Sequence, residues 1–372
     1  MTSIAVAIVA ACGDDPAPSV SAPDASDDDA APSTADTGSV QERDAGLDAG
    51  PDGCVPCGGE CVLLDSDPNH CGACGHLCGC GATTCTGGHC DATTLTATSG
   101  APFDLARGGD RLFWGEDVAR TLVTMPTAGG DAGVLYSGRP TIRGIALTDT
   151  KIVFGRTSFN ILEIADRAAG GSSHNFTNHQ ENGPTGVVID GDRAYWVNSS
   201  TGLVRTKLVV VDGTDGTTLA TAQTNARRIA VDGTSLYWTT NTATGTVMQM
   251  PKAGGTPVAL ASNQNLPYDI EVDDTFVYWT NQGDGAISKV PKTGGNVQVL
   301  TTGRSGPLML SVDATHAYYT TSSTVEKVPL AGGAPITLAA KQDVPAGLAI
   351  DDDCVYFVNS SADAGAIRKV EK

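Results

Sequence analysis

Seven copies of one short pattern run through this chain from Phe103 to Phe357, and they limit the fold more than any other feature. The clearest copies read Ile229-Ala-Val-Asp-Gly-Thr-Ser-Leu-Tyr-Trp238 and Ile270-Glu-Val-Asp-Asp-Thr-Phe-Val-Tyr-Trp279. The second aromatic of each copy falls at Trp114, Phe154, Trp196, Trp238, Trp279, Tyr319 and Phe357, so the steps are 40, 42, 42, 41, 40 and 38 residues. A period near forty with several short strands per unit predicts an all-β, seven-bladed β-propeller, one four-stranded blade per repeat.

Within the fourth repeat the reading is an inner strand at Arg228–Val231, a turn opened by Asp232, and a second strand at Leu236–Thr240. A third strand follows at Val247–Lys252 and an outer one at Pro257–Ser262, with Gly245, Gly254 and Gly255 in the turns. Asp suits the first turn because its carboxylate accepts backbone N–H bonds, and Gly supplies positive φ in the others. The paired aromatics are expected in the core, wedged between neighbouring blades. The last repeat, from Pro345 to Lys372, lacks an outer strand, and Thr93–Thr98 is expected to supply it and close the ring.

The propeller is expected to occupy residues 91–372, behind three different segments. Residues 13–53 hold eleven acidic residues against the single base Arg43, which is −10 of the chain's −19. With almost no large apolar side chain, such a stretch reads as an extended acidic linker. Residues 1–12 form a short apolar run ending in Val9-Ala10-Ala11-Cys12, which resembles the lipobox of bacterial lipoproteins, although no Lys or Arg precedes it. The resemblance implies export, a lipid on Cys12, membrane attachment through that lipid, and residence at the outer membrane or cell surface, with the periplasmic face also open. An ordinary signal peptide is the alternative, since the run is too short to span a bilayer.

Nine of the eleven cysteines crowd into residues 54–90: Cys54, Cys57, Cys61, Cys71, Cys74, Cys78, Cys80, Cys85 and Cys90. A Gly-rich stretch of this size has no apolar core, so cross-links must hold it. Export favours disulfides, while the Cys-x-x-Cys pairs at 54/57 and 71/74, with His70, His76 and His89 nearby, also suit zinc. The run Asp67-Pro-Asn-His-Cys71-Gly-Ala-Cys74-Gly-His-Leu-Cys78, closing at Cys85-Thr-Gly-Gly-His-Cys90, resembles the stigma-specific cysteine-rich family and carries no catalytic residue. With Cys12 lipidated, parity leaves one module cysteine for Cys354. Strand directions place Cys354 on the same face as Cys90, so a latch from Cys354 to Cys90 or a near neighbour is expected, with a free thiol at Cys354 as the alternative.

Residues just ahead of the inner strands should ring the channel, where loops from every blade converge and ligands usually bind. Charge falls there at Asp104, Arg143, Arg227, Arg228 and Asp269, with Tyr268 beside them. Such a rim suits a carboxylate-bearing or sugar ligand, or else its charges pair among themselves. No nucleophile–base constellation, phosphate-cradling loop or resident metal or cofactor is expected. His174, His179 and Glu181 form at most a weak metal cluster, read instead as a polar insertion. The propeller has no basic stripe, so nucleic acid is not an expected partner, and the chain is read as a monomer with an unknown protein or glycan partner.

The Tyr-Trp-Thr-Asn copies resemble the YWTD class of propellers, and more closely exported bacterial propellers with Val-Tyr-Trp-Thr-Asn repeats. That resemblance implies a non-catalytic binding or scaffold role. It departs from the receptor class in having seven repeats and in carrying Asn198, Asn281 and Asn359 where the class has aspartate. A streptogramin-lyase-like enzyme, also seven-bladed, is the catalytic alternative, and would need an acid/base histidine and acidic metal ligands on the channel face.

Overall fold

The computed structural model describes residues 55–57, 60–139, 141–168, 172–177, 181–211, 214–361 and 365–372. The apolar run at 1–12 with Cys12, the acidic linker at 13–53, Cys54 and His179 lie outside the described residues. Seven four-stranded antiparallel sheets make the propeller. Their inner strands are Pro102–Gly108, Ile142–Leu147, Pro184–Asp190, Ala226–Val231, Pro267–Val272, Leu310–Val312 and Pro345–Ile350, here numbered blades 1 to 7. Blade 4 continues with Ser235–Thr240, Gly245–Pro251 and Val258–Gln264, within two or three residues of the sequence reading. Among the described residues no helix is long and apolar enough to cross a membrane.

Blade 7 is completed by Thr93–Ala97, which pairs antiparallel with Ala366–Glu371, so the two ends of the propeller segment share one sheet. Closure of this kind covers the edge that Ala366–Glu371 would otherwise leave open. Trp114, Trp196, Trp238 and Trp279 are fully buried and pack in the clusters between sheets. A repeated polar device fixes three of them, while Trp114 donates to Glu116 instead. Trp196 Nε1 and Asn198 Nδ2 both donate to Glu181 (2.7 and 2.8 Å), and Trp279 Nε1 and Asn281 Nδ2 both donate to Gln264 (3.0 Å each). Trp238 donates in the same way to Gln223, and Asn359 to Gln342. Each acceptor lies fifteen residues ahead of the second aromatic, a spacing legible in the sequence yet easily passed over. Glu181, taken above with a weak metal cluster, is thereby corrected: it is wholly buried and also holds Arg205 at 2.8 Å. Its companion His174 stands exposed on the outer strand of blade 2.

The first turns follow a second repeated device. Asp232 accepts the amides of Thr234 and Ser235 and the hydroxyl of Tyr237, and Asp273, Asp313 and Asp351 do the same in blades 5 to 7. Cations from the following blade reach back: Lys292 to Asp232 at 2.9 Å and Lys372 to Asp313 at 2.7 Å. These pairs tie neighbouring blades together at the first-turn face.

The cysteine module forms a collar of two short hairpins, Val55–Cys57 with Glu60–Val62 and Cys85–Thr86 with His89–Cys90. Disulfides join Cys57 to Cys74, Cys71 to Cys85, Cys78 to Cys90, and Cys80 to Cys354. Cys71, Cys78 and Cys90 lie close enough to share an ion, but each sulfur is already in a disulfide. Cys61 sits in the first hairpin, its side chain outside the described residues. The expected latch from Cys354 to the cysteine module is present and the thiol is not free, but the bond is made to Cys80, while Cys90 is taken by Cys78. The reason is local: Glu371 of blade 7 accepts the Gly79 amide (2.9 Å) and faces His76 (3.3 Å), which holds segment 76–80 over the first turn of that blade.

Candidate functional site

The candidate residues lie inside the inner strands rather than just ahead of them. In six of the seven blades the inner strand bulges near its start, where two or three of its residues oppose too few on the second strand. A bulge re-aims side chains and lets neighbouring strands converge, and here it turns two layers toward the channel. Gly144, at φ +69°, points its amide at Asp104 Oδ2 (2.7 Å), a backbone direction few side-chain-bearing residues adopt. A Cβ on Gly347 would lie 2.6 Å from the Phe103 carbonyl oxygen, so only glycine lets blade 7 approach blade 1 this closely.

The deeper layer holds Asp104, Arg228 and Asp269. Arg228 spans the channel: its Nη2 donates to Asp104 (2.5 Å), its Nη1 to the Thr185 carbonyl (3.1 Å), and its Nε lies 4.0 Å from Asp269. Asp269 also accepts the Leu310 amide at 2.8 Å. Burial works against charge on this arginine, but Asp104, Tyr268 and Asp269 outweigh it and hold the guanidinium protonated. Burial pushes the Asp269 carboxyl up to about 6, against the pull of Arg228. The three groups act as an internal bolt joining blades 1, 4 and 5.

The outer layer is different. Phe103, Arg143, Thr185, Arg227 and Tyr268 line a cavity of about 350 Å³ at the mouth, together with Asn160, Ser199 and Ser200 from the second-turn loops. Arg143 lies 4.5 Å over the Phe103 ring and is paired with Asp117 (2.8 Å). Arg227 lies 4.7 Å over the Tyr268 ring and donates to its hydroxyl at 2.9 Å. Among the described residues it has no carboxylate partner, unlike Arg143 and Arg228. A guanidinium held over an aromatic ring, with hydroxyls and an amide around the same hollow, is suited to a planar anion. Sequence reasoning singled out six residues as one rim. The structure divides them into a deeper ion-paired layer and an outer mouth, with Arg228 lining both, and adds Phe103, Asn160, Ser199 and Ser200 to the mouth.

Fold and site together define a seven-bladed β-propeller with a polar channel mouth and a disulfide-bonded collar. No family model matches the sequence, and no curated protein matches it either. Solved structures match at the level of fold. Virginiamycin B lyase from Staphylococcus aureus aligns with a TM-score of 0.64 at 12% identity, over 76% of this chain and 98% of the lyase. A nidogen/laminin complex chain aligns at 0.50 and 21% identity over 62% and 92%, and the computationally designed Ika8 protein at 0.53 and 12% identity over 75% and 98%. One fold thus hosts an enzyme, a binding protein and a designed chain, and at these identities it carries no function with it.

Proposed function

We propose that this chain is an exported, lipid-anchored, non-catalytic binding or scaffold protein of the bacterial cell envelope. Its ligand, a small carboxylate or an acidic sugar presented alone or on a partner, seats in the channel mouth on Arg227. The observation that carries the reading is the Arg227 guanidinium, stacked on Tyr268, open to the mouth and without an acidic partner among the described residues. Thermal-shift and calorimetric screens against acetate, glutarate and galacturonate test it. Binding that is lost in Arg227→Ala and kept in Asp117→Asn supports it, while a flat screen would sink it. Anchoring is tested separately by palmitate labelling, which Cys12→Ser should abolish.

A second reading is a channel-face lyase. It is favoured by the fold shared with virginiamycin B lyase, of which a catalytically inactive His→Ala form has been crystallised with quinupristin. Among the described residues no histidine lines either channel cavity, which supports the binding role over this one. Incubation with quinupristin, with and without chelator, decides between them: conversion seen by mass spectrometry would establish the enzyme.

A further inference from the structure

The other end of the channel has a different chemistry. A cavity of about 300 Å³ is lined by residues 145–147, 187–189, 229–231 and 270–272 of blades 2 to 5. Eleven of these twelve are Ala, Val, Leu or Ile, and the twelfth is Glu271. In each blade the equivalent position directly follows the residue paired opposite the second aromatic. The other six blades hold Ala106, Ala146, Val188, Ala230, Ser311 and Ala349 there. A small neutral side chain therefore satisfies this position everywhere except blade 5.

Glu271 has no ion-pair or side-chain hydrogen-bond partner among the described residues, and only the Val272 amide supports its charge. Its neighbour Asp269 is already engaged by Arg228 and the Leu310 amide. Glu271 is part-buried, and an unpaired carboxylate is out of keeping with an aliphatic wall, so it marks a place for a cation. One free carboxylate is a poor ligand set for a divalent ion, which takes six or more oxygens in the case of calcium. An aliphatic wall suits a carbon skeleton.

We propose that this end of the channel is a second binding site, for a primary ammonium ion carrying an aliphatic body. The ammonium sits on Glu271 and the body fills the hollow between blades 2 and 5. The site is separate from the mouth and does not depend on the function proposed for it. Burial, reinforced by Asp269, pushes the Glu271 carboxyl up to about 8. The charged groups sharing its channel are Asp269 on its own strand and Arg228 and Asp104 across the lumen. Binding an ammonium should therefore release a proton, and affinity should rise from pH 6 to pH 9, where a simple alkylamine is still charged.

Calorimetry of the full chain with n-hexylammonium at pH 8, beside the neutral n-hexanol and calcium chloride alone, tests the site. Hexylammonium is expected to bind and hexanol to bind far more weakly. Glu271→Gln, a change of similar volume that removes an unpaired charge, should weaken the amine by about tenfold or more, as expected for a lost charge-assisted hydrogen bond. Arg227→Ala should leave it unchanged. Equal binding of hexanol, undiminished binding to Glu271→Gln, binding of calcium in place of the amine, or no binding at all would each overturn the proposal. The hexanol and calcium arms use the unmodified chain, so they stand even where a variant folds poorly.

Discussion

The collar and the propeller solve the same problem by opposite means. The propeller buries a Trp, Tyr or Phe in every blade, and its clusters between sheets are built from large apolar side chains. In the collar the buried clusters are Val55, Cys57 and Val62 in one place and Cys71, Cys85 and Cys90 in the other. Four of those six residues are cysteines already committed to cross-links. A Gly-rich stretch of forty residues or fewer cannot bury enough surface to offset its chain entropy, so covalent bonds replace the core. Where the two meet, both means are used together: Cys80–Cys354 beside the Glu371 contacts to Gly79 and His76.

That contrast is sharpest at the bond between the regions. Cys80–Cys354 spans 274 residues, and chain entropy alone assigns such a bridge up to about 5–6 kcal/mol. Cys354→Ser should lower the denaturant midpoint by the largest amount of any change suggested here while leaving Cys57–Cys74, Cys71–Cys85 and Cys78–Cys90 of the collar intact. An unchanged midpoint would mean that strand pairing of Thr93–Ala97 closes the ring without help. Next comes Trp279→Ala, which removes a fully buried ring and one of the two donors to the Gln264 side-chain carbonyl, leaving Asn281. A loss of about 3–5 kcal/mol is expected from the cavity alone, read as a lower melting temperature in both oxidised and reduced protein. A loss confined to reduced protein would break the distinction between the two regions.

Smaller effects follow from charge. At Asp232, Asp273, Asp313 and Asp351 burial opposes ionisation. Lys292 at the first, Lys372 at the third, the tyrosine hydroxyls and the backbone amides outweigh it and hold all four carboxyls below the usual range. A depressed carboxyl stabilises the fold above its unfolded value, near 4, and that contribution disappears as pH falls through the folded value. Melting temperature should therefore drop steeply below pH 4, and Asp232→Asn should flatten the slope; an unaltered slope would show that the blade-to-blade pairs contribute nothing. The smallest effect is at the collar. His76 is raised by the Cys71 carbonyl and then by Glu371, so its contribution is present below about pH 6.5 and lost as pH rises through its folded value. Half exposed, it is worth less than about 1 kcal/mol. His76→Ala should speed hydrogen exchange at Gly79 and Cys80 at pH 6 but not at pH 9, without changing the propeller's melting temperature.

Periodicity made the propeller legible because blades 4 to 6 share the same local rules, an Asp turn, a strand with two aromatics and a Gly-Gly turn, and the other blades keep enough of them to be aligned. The missing outer strand of blade 7 was legible for the same reason, as an incomplete unit at one end and a spare strand, Thr93–Ala97, at the other. The channel was legible only in part. Arg143, Arg227, Arg228, Asp104 and Asp269 could be assigned to the lumen from their place in the repeat. Which of them form the deeper ion-paired layer and which face its mouth depends on bulges in the inner strands, whose local geometry no periodicity encodes.

The sequence by itself determined the number of blades, the closing strand, the need for cross-links at 54–90 and the absence of a shared catalytic pattern in the repeats. Tertiary structure alone decided that Cys354 meets Cys80, that Glu181 serves Trp196, Asn198 and Arg205, and that Arg227 and Glu271 have no ionic partner among the described residues. The physical reason is range. Strands and turns are set by neighbours a few residues apart, whereas pairing in the channel joins different blades, as with Arg227 and Tyr268, 41 residues apart, and Arg228 and Asp104, 124 apart. Such partners are chosen by the closure of the ring, and only once it has closed does any residue remain without one.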